Sequence, residues 1–394
     1  MKKQSDLGAA ERISLMPRSG IREIMDLAWS MKNVNHLEVG EPNFPTPKWI
    51  ADAGISAINS GATKYSPNAG INQLRARLVE KARSINKITC NESQIVVSSG
   101  AVEALFIALT TILNPGDQIL LPNSGWPNFR MMCSLLSIDQ IFYSLNSEHH
   151  FEPDVNELKG LLNSKVKAVL INSPSNPLGV VLSSKKIEEI LTFANSAGLW
   201  VVSDECYDQI TYEVDNFSIG SLDGASNVIT AFSFSKTYAM TGWRVGYAIV
   251  PNSISGALAK VQEPVISCVN TAAQFAAIAA LDGDQHIVKH MVAEYKLRRD
   301  SALGEAKRTG LQIVHPGGAF YLWVDISKSQ LRSRDFALEL LRKYSTAVAP
   351  GTAFGSNGEG WIRISLASPA NKVLQGIGAV SELIKHGREN RGSN

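Results

Sequence analysis

The sequence predicts an α/β chain, with a large domain built on a mostly parallel sheet covered by helices and a smaller α+β domain after it. Three observations carry this. From Gln94 onward, short apolar runs alternate regularly with stretches of helical period. Several of those runs are apolar at every position, as strands buried on both faces should be. The chain of 394 residues also exceeds the size at which one core usually stops growing, so two domains sharing a cleft are expected.

Taken in order, Pro17, Ser19 and Gly20 resemble a helix start, and an amphipathic stretch follows from Ile21 to Trp29. LEVGEPNFPTP contains Gly40, Pro42, Pro45 and Pro47, which reads as a strand running into a rigid extended loop. A helix is expected over Lys48 to Ser60, and KYSPNAGINQLR then gives a proline-bearing turn flanked by Tyr65 and Gly70. QIVVSS, QILL, QIFYSL, KAVLIN, LWVVSD and VITAFSF read as strands, with VEALFIALTTIL, PNFRMMCSLL and KKIEEILTFANSA as helices among them. After about Gln285, the charged helical run AEYKLRRDSALGEAKR, the segment LQIVHPGGAFYLWVDI and a further helix and strand make the smaller domain. The polar end GRENRGSN reads as frayed.

Composition excludes several classes of partner. A net charge of +2 with no run of like charge gives no basic stripe for nucleic acid and no membrane-surface helix. Cys90, Cys133, Cys206 and Cys268 are widely separated, form no metal-ligand cluster and read as buried thiols. The N-terminus lacks the apolar core of a signal peptide, and no apolar run is long enough to span a bilayer. A reducing cytoplasm fits both facts.

The chemistry centres on VITAFSFSKTYAMTGWRVG, where an apolar strand delivers Lys236 at its end with Arg244 downstream. Burial and nearby positive charge would lower the lysine pKa and make the amine a nucleophile, while Ser233 and Arg244 would complement a phosphate. Elsewhere the residues leave alternatives open. Ser99, Gly100 and Ala101 open a helix either as an ordinary cap or as an anion site. Trp126 either packs in the core or stacks on a flat ligand. Asn176, in SPSNPLG beyond a strand end, would aim into a cleft. Asp204 either caps a helix or faces a positive group, with Tyr207 three residues on. Arg363, inside the alternating strand WIRISLA, is half of a buried ion pair or a clamp for a ligand anion.

Ser233, Ser235, Lys236, Ala239, Met240, Gly242, Arg244 and Gly246 match, position for position, the pyridoxal-phosphate attachment signature of the class I aminotransferases. The chain therefore resembles that family, a branch of the fold-type I PLP enzymes, from about Gly20 to about Leu366. The resemblance implies a homodimer with shared active sites and three segments: residues 1–45 packing on the small domain, 46–285 as the cofactor-binding domain and 286–394 as the small domain. It implies that Lys236 carries pyridoxal 5'-phosphate as a Schiff base and serves as general base, with Asp204 facing the pyridine nitrogen. Tyr207 and Asn176 would bond the ring oxygen and Trp126 would stack on the ring. Ser99, Gly100, Ala101, Ser233, Arg244 and the neighbouring subunit's counterpart of Tyr65 would hold the phosphate. Arg363, helped by Asn176 and the Gly40 amide, would clamp the substrate carboxylate, with Ile21 against the side chain. Where Leu178 stands, the family usually has threonine, a departure expected to be tolerated.

The implied activity is transfer of the amino group of an L-amino acid to a 2-oxo acid by a ping-pong route. Some aspartate-using relatives place a lysine where Leu109 aligns, and small hydroxyl residues near Arg18 and Ser19, so a neutral or aromatic donor is expected here. Arg18 and Arg130 are the possible partners for a distal carboxylate. The competing reading is a C–S β-lyase or another α-carbon reaction on the same cofactor.

Overall fold

The computed structural model describes residues 9–14, 16 and 20–389. Pro17 and Ser19 of the expected helix start, Arg18 and the last five residues of the polar end lie outside the described residues.

Seven strands form the main sheet, in the spatial order Ile95–Ser98, Gly246–Ile249, Val228–Ser233, Trp200–Asp204, Val166–Asn172, Gln118–Asn123 and Asp139–Ser144. Six point the same way. Gly246–Ile249 runs antiparallel to both neighbours, because the short link from Ser233 leaves no room for the helical crossover that a parallel return needs. Every residue of Ile95–Ser98, Val228–Ser233 and Gly246–Ile249 is buried, which explains their unbroken apolar character. Gly100–Ile112 and Pro127–Leu135 pack on one face, and Ser184–Ala197 belongs to the cover of the other. Helices Asn72–Ser84, Asn252–Ile266 and Thr271–Asp282, and the strand Gly246–Ile249, are additional to the expected elements.

The register aligns the strand ends that matter. Asn172 lies opposite Asp204, Asp204 opposite Ala231, and Gly246 is the partner of both Ser98 and Ser233. The loops that follow these ends therefore converge on one edge, where open α/β sheets bind ligands.

The smaller domain carries a four-stranded antiparallel sheet in the order Ala349–Pro350, Trp361–Ser365, Tyr321–Asp325, Ile313–Val314. The N-terminal segment joins it through Asn35–His36, which pairs in parallel with Thr346–Ala347. Beyond that pair, the Leu37 N–H donates to Ala347 O at 3.0 Å and Ser365 N–H donates to Leu37 O at 2.8 Å. Helix His286–Thr309 ties the two parts together: Val288 packs with Ile50 and Phe234, whereas Tyr295 and Ala302 pack with Phe320 and Leu340. All four cysteines are free, but only Cys133 is fully buried; Cys90, Cys206 and Cys268 are partly accessible, contrary to the expectation of four buried thiols. Among the described residues, no helix is long and apolar enough to cross a membrane.

Candidate active site

A cavity opens where the strand ends meet the smaller domain, and Lys236 lines it. The strand Val228–Ser233 ends in a single short helical turn, Phe234–Thr237, capped by the Ser233 hydroxyl, which accepts the Ser235 N–H at 3.1 Å. That turn points the lysine into the cavity, where its Nζ donates to Gly40 O at 2.6 Å. Burial lowers the pKa of the amine, and the Arg363 and Arg244 charges push the same way against the opposing effects of Cys206 and Glu41. An amine so placed reaches its neutral, nucleophilic form more readily.

Asp204 closes its strand 3% exposed, accepting the Cys206 N–H at 3.1 Å. Burial pushes its carboxyl up to about 6, opposed by hydrogen bonds from Cys206 and by the Lys236 charge. A cationic N–H set against this carboxylate would hold it ionised. Tyr207 follows, its hydroxyl 2.7 Å from that of Tyr321.

Arg363 is 3% exposed. It donates through one terminal nitrogen to Asn176 Oδ1 at 2.9 Å and through the other to the Glu38 carbonyl, and its guanidinium carbon lies 4.4 Å from the Tyr321 ring centroid and 5.0 Å from that of Phe354. Its Nε is buried without a partner. Asn176 is held in turn by its own N–H, which donates to Asn172 Oδ1 at 2.8 Å. Leu178 is fully buried in an apolar nest with Trp323, Ala349 and Phe354. Trp126 packs edge-on against Phe129 at 5.5 Å and presents its remaining surface to the cavity.

The cavity also meets a helix start crossed by a guanidinium. Gly100 begins a thirteen-residue helix at φ +78°, and a side chain there would come within 2.5 Å of the Arg244 guanidinium. Glycine thus lets Arg244 lie across the helix start, donating to Thr241 O at 2.7 Å and Ser99 O at 3.2 Å. The helix dipole and a guanidinium converge there, with Ser233 and Ser235 also on the cavity wall.

Of the residues singled out in the sequence, Ile21, Gly40, Ala101, Trp126, Asn176, Asp204, Tyr207, Ser233, Lys236, Arg244 and Arg363 line this one cavity. Ser99 and Gly100 stand behind Ala101, and the Ser99 N–H is taken by the Glu103 carboxylate. Tyr65 is not brought in: it is 91% exposed, beside Ser66 and Thr271 on another face. Leu109 is fully buried in the core with Ala104 and Leu105, so it says nothing about the substrate; the positions of that helix that reach the cavity are Ala101 and Val102. Arg130 lies over the Phe142 ring at 4.4 Å and does not line the cavity. Met25, Glu38, Val39, Val102, Cys206, Ser235 and Tyr321 line it without having been singled out as site residues. Met25 was legible, four residues after Ile21 on one face of the same helix. Among the described residues, no group of His, Cys, Asp and Glu is placed to hold a metal ion.

The layered fold brings a buried lysine, a buried carboxyl, a guanidinium at a helix start and a buried arginine to one cavity, the arrangement of a lysine-centred α/β enzyme. Comparison with known proteins makes that specific. The sequence profile described as "Aminotransferase class I and II" matches residues 32–379. The chain is 36% identical over 384 residues to an aspartate aminotransferase of Pyrococcus abyssi, covering 96% of this chain and 99% of that protein. It is 34% identical over 384 residues to aromatic-amino-acid aminotransferase 2 of Thermococcus litoralis, at 96% and 99% coverage. The fold is similar to the structure of aspartate aminotransferase from Thermus thermophilus with maleate, at a TM-score of 0.91 and 30% identity, covering 95% of this chain and 99% of that one. The chain belongs to the class I and II aminotransferases, and it is a pyridoxal-phosphate-dependent transaminase of fold type I.

The residues present fit that cofactor. An amine of lowered pKa, a buried carboxyl pushed up to about 6 and an anion-binding helix start bridged by Arg244 all face one space. Together they match an aldehyde, a basic ring nitrogen and a phosphate.

Proposed function

We propose that the enzyme transfers the amino group of an L-amino acid with a neutral or aromatic side chain to a 2-oxo acid in two half-reactions, the first product leaving before the acceptor enters. Bound pyridoxal phosphate supplies an electron sink for negative charge at the substrate Cα. Lys236 would be its attachment point, and its Nζ would take the Cα proton as general base. Asp204 would bias the ring electronically, Tyr207 and Asn176 would donate to its oxygen, and Trp126 would stack on it. Ala101, Ser233 and Arg244 hold the phosphate, with Ser99 and Gly100 shaping the turn. Arg363, with Asn176 and Gly40, binds the substrate carboxylate.

One observation carries the substrate class. The cavity lining includes the apolar residues Ile21, Met25, Val39, Val102 and Trp126, with Arg363 as the cation for the α-carboxylate. A panel of amino acids assayed with pyruvate and with 2-oxoglutarate tests it, and preference for aspartate or glutamate over every neutral donor would overturn it. The lyase reading finds no support, since the named relatives are aminotransferases.

The same proposal includes a homodimer. Tyr65, Ile55 and Ile58 are all more than half exposed, and a second copy covering them would bring Tyr65 to the neighbouring site. Sedimentation of an active monomer would contradict this. The domain division at residues 45 and 285 is part of the proposal, supported by the helix His286–Thr309 that spans both cores. So is a reducing, cytoplasmic setting, supported by the four free cysteines.

A further inference from the structure

Tyr321 is buried at the cavity, 1% exposed. It begins the strand Tyr321–Asp325 and lies opposite Ser365, two residues from Arg363 on the facing strand. Its ring supports the Arg363 guanidinium at 4.4 Å, and its hydroxyl is 2.7 Å from that of Tyr207. The same hydroxyl fills the space above Gly40: a Cβ built there would sit 2.2 Å from the phenol oxygen, 3.1 Å from Cζ and 3.3 Å from Cε1. One phenol thus touches the arginine, the tyrosine and the backbone whose carbonyl receives Lys236.

We propose that Tyr321 is a positioning residue: its hydroxyl donates to Tyr207, leaving the Tyr207 proton free to face the cavity, while its bulk sets the Gly40 backbone against Lys236. The direction of the bond follows from the surroundings. A guanidinium stacked on the Tyr321 ring draws electron density from it and makes that O–H the stronger donor of the two. Tyr207, accepting this bond, becomes a better donor itself. The same contact explains why residue 40 is glycine, since no other side chain leaves room for the phenol oxygen.

Three variants test this: Gly40→Ala, Tyr321→Phe and the two combined. Gly40→Ala is expected to lower the melting temperature and the affinity for pyridoxal phosphate. Adding Tyr321→Phe should restore much of both, because the nearest remaining ring atom is then 3.1 Å away rather than 2.2 Å. Losses that merely add in the double variant would overturn the packing claim. The hydroxyl claim rests on the proposed function and is read in the loaded enzyme. Tyr321→Phe should raise the pH midpoint of the visible absorption by about half a unit to one unit, the worth of one hydrogen bond relayed through Tyr207. Arg363, Asp204 and Cys206 face the phenol pair, and Cys206, Glu41, Arg363 and Arg244 face Lys236, and all are unchanged in this variant. An unmoved midpoint would overturn the relay. Failure of borohydride to fix the cofactor on Lys236 in wild type would instead refute the functional reading, and the melting data would still decide the packing.

Discussion

Replacing Asp204 by asparagine separates the stability of this chain from its chemistry. Burial pushes the carboxyl from the ordinary 3.8 to about 6. At about 1.4 kcal/mol per pH unit, that displacement destabilises the folded chain by about 3 kcal/mol once the group is ionised. Between about pH 4 and about pH 6 the folded state keeps a proton that the unfolded state has released, so stability falls as pH rises through that window. Asparagine still offers an oxygen to the Cys206 N–H at 3.1 Å and has no charge to desolvate. Stripped of cofactor, Asp204→Asn is therefore expected to melt above wild type at about pH 7.5 and to lose that advantage near pH 4. Pyridoxal phosphate should reverse the order, because only the carboxylate gains from a cationic ring nitrogen, and transamination should fall on the order of a hundredfold to a thousandfold. Melting curves at the two pH values, with and without cofactor, read all of this. An asparagine variant that melts below wild type near neutrality without cofactor, or that gains as much from cofactor as wild type does, would refute the reasoning.

Lys236→Ala should leave no cofactor fixed to the chain after borohydride reduction, read by mass spectrometry, and should lower turnover by at least about a thousandfold; retained wild-type turnover would remove Lys236 from its role. Leu178→Thr puts a hydroxyl among Trp323, Ala349 and Phe354 and should cost about 1–3 kcal/mol in chemical denaturation. Lys81 and Asp208 form a buried pair at 2.6 Å beneath the strand that delivers Lys236, with the ammonium 4.9 Å from the Phe232 ring centroid. Lys81→Met should destabilise the fold by about 3–5 kcal/mol by leaving Asp208 buried and unpaired, and adding Asp208→Asn should recover most of it. Equal stability of the single and double variants would contradict that account.

What the sequence made legible follows from locality. The strands of the main sheet are buried on both faces, so their apolar runs announce them, and a lysine just past such a run stands out because nothing nearby in sequence explains it. The same physics hides other residues. Gly100–Ile112 is apolar nearly all round, so periodicity offers no face from which to decide that Val102 reaches the cavity while Leu109 is core. Glu38 is fully buried and its carbonyl receives a guanidinium 325 residues away, and Tyr321 is one aromatic in an apolar run until the fold sets it against Tyr207.

Position 178 shows how a departure from the family pattern is carried by partners far along the chain. Leu178 shares an apolar cluster with Phe354, and the Phe354 ring centroid lies 5.0 Å from the Arg363 guanidinium, which also lies 4.4 Å from that of Tyr321. Arg363 thus packs on two aromatic rings, one of them backed by the cluster that holds the leucine. A polar residue at 178 would loosen that backing while leaving the Asn176 hydrogen bond to Arg363 in place. The effect of Leu178→Thr should therefore appear first in stability and in KM for the amino acid, and only later in turnover. A fall in kcat at unchanged KM would mean that Leu178 acts on something other than the arginine.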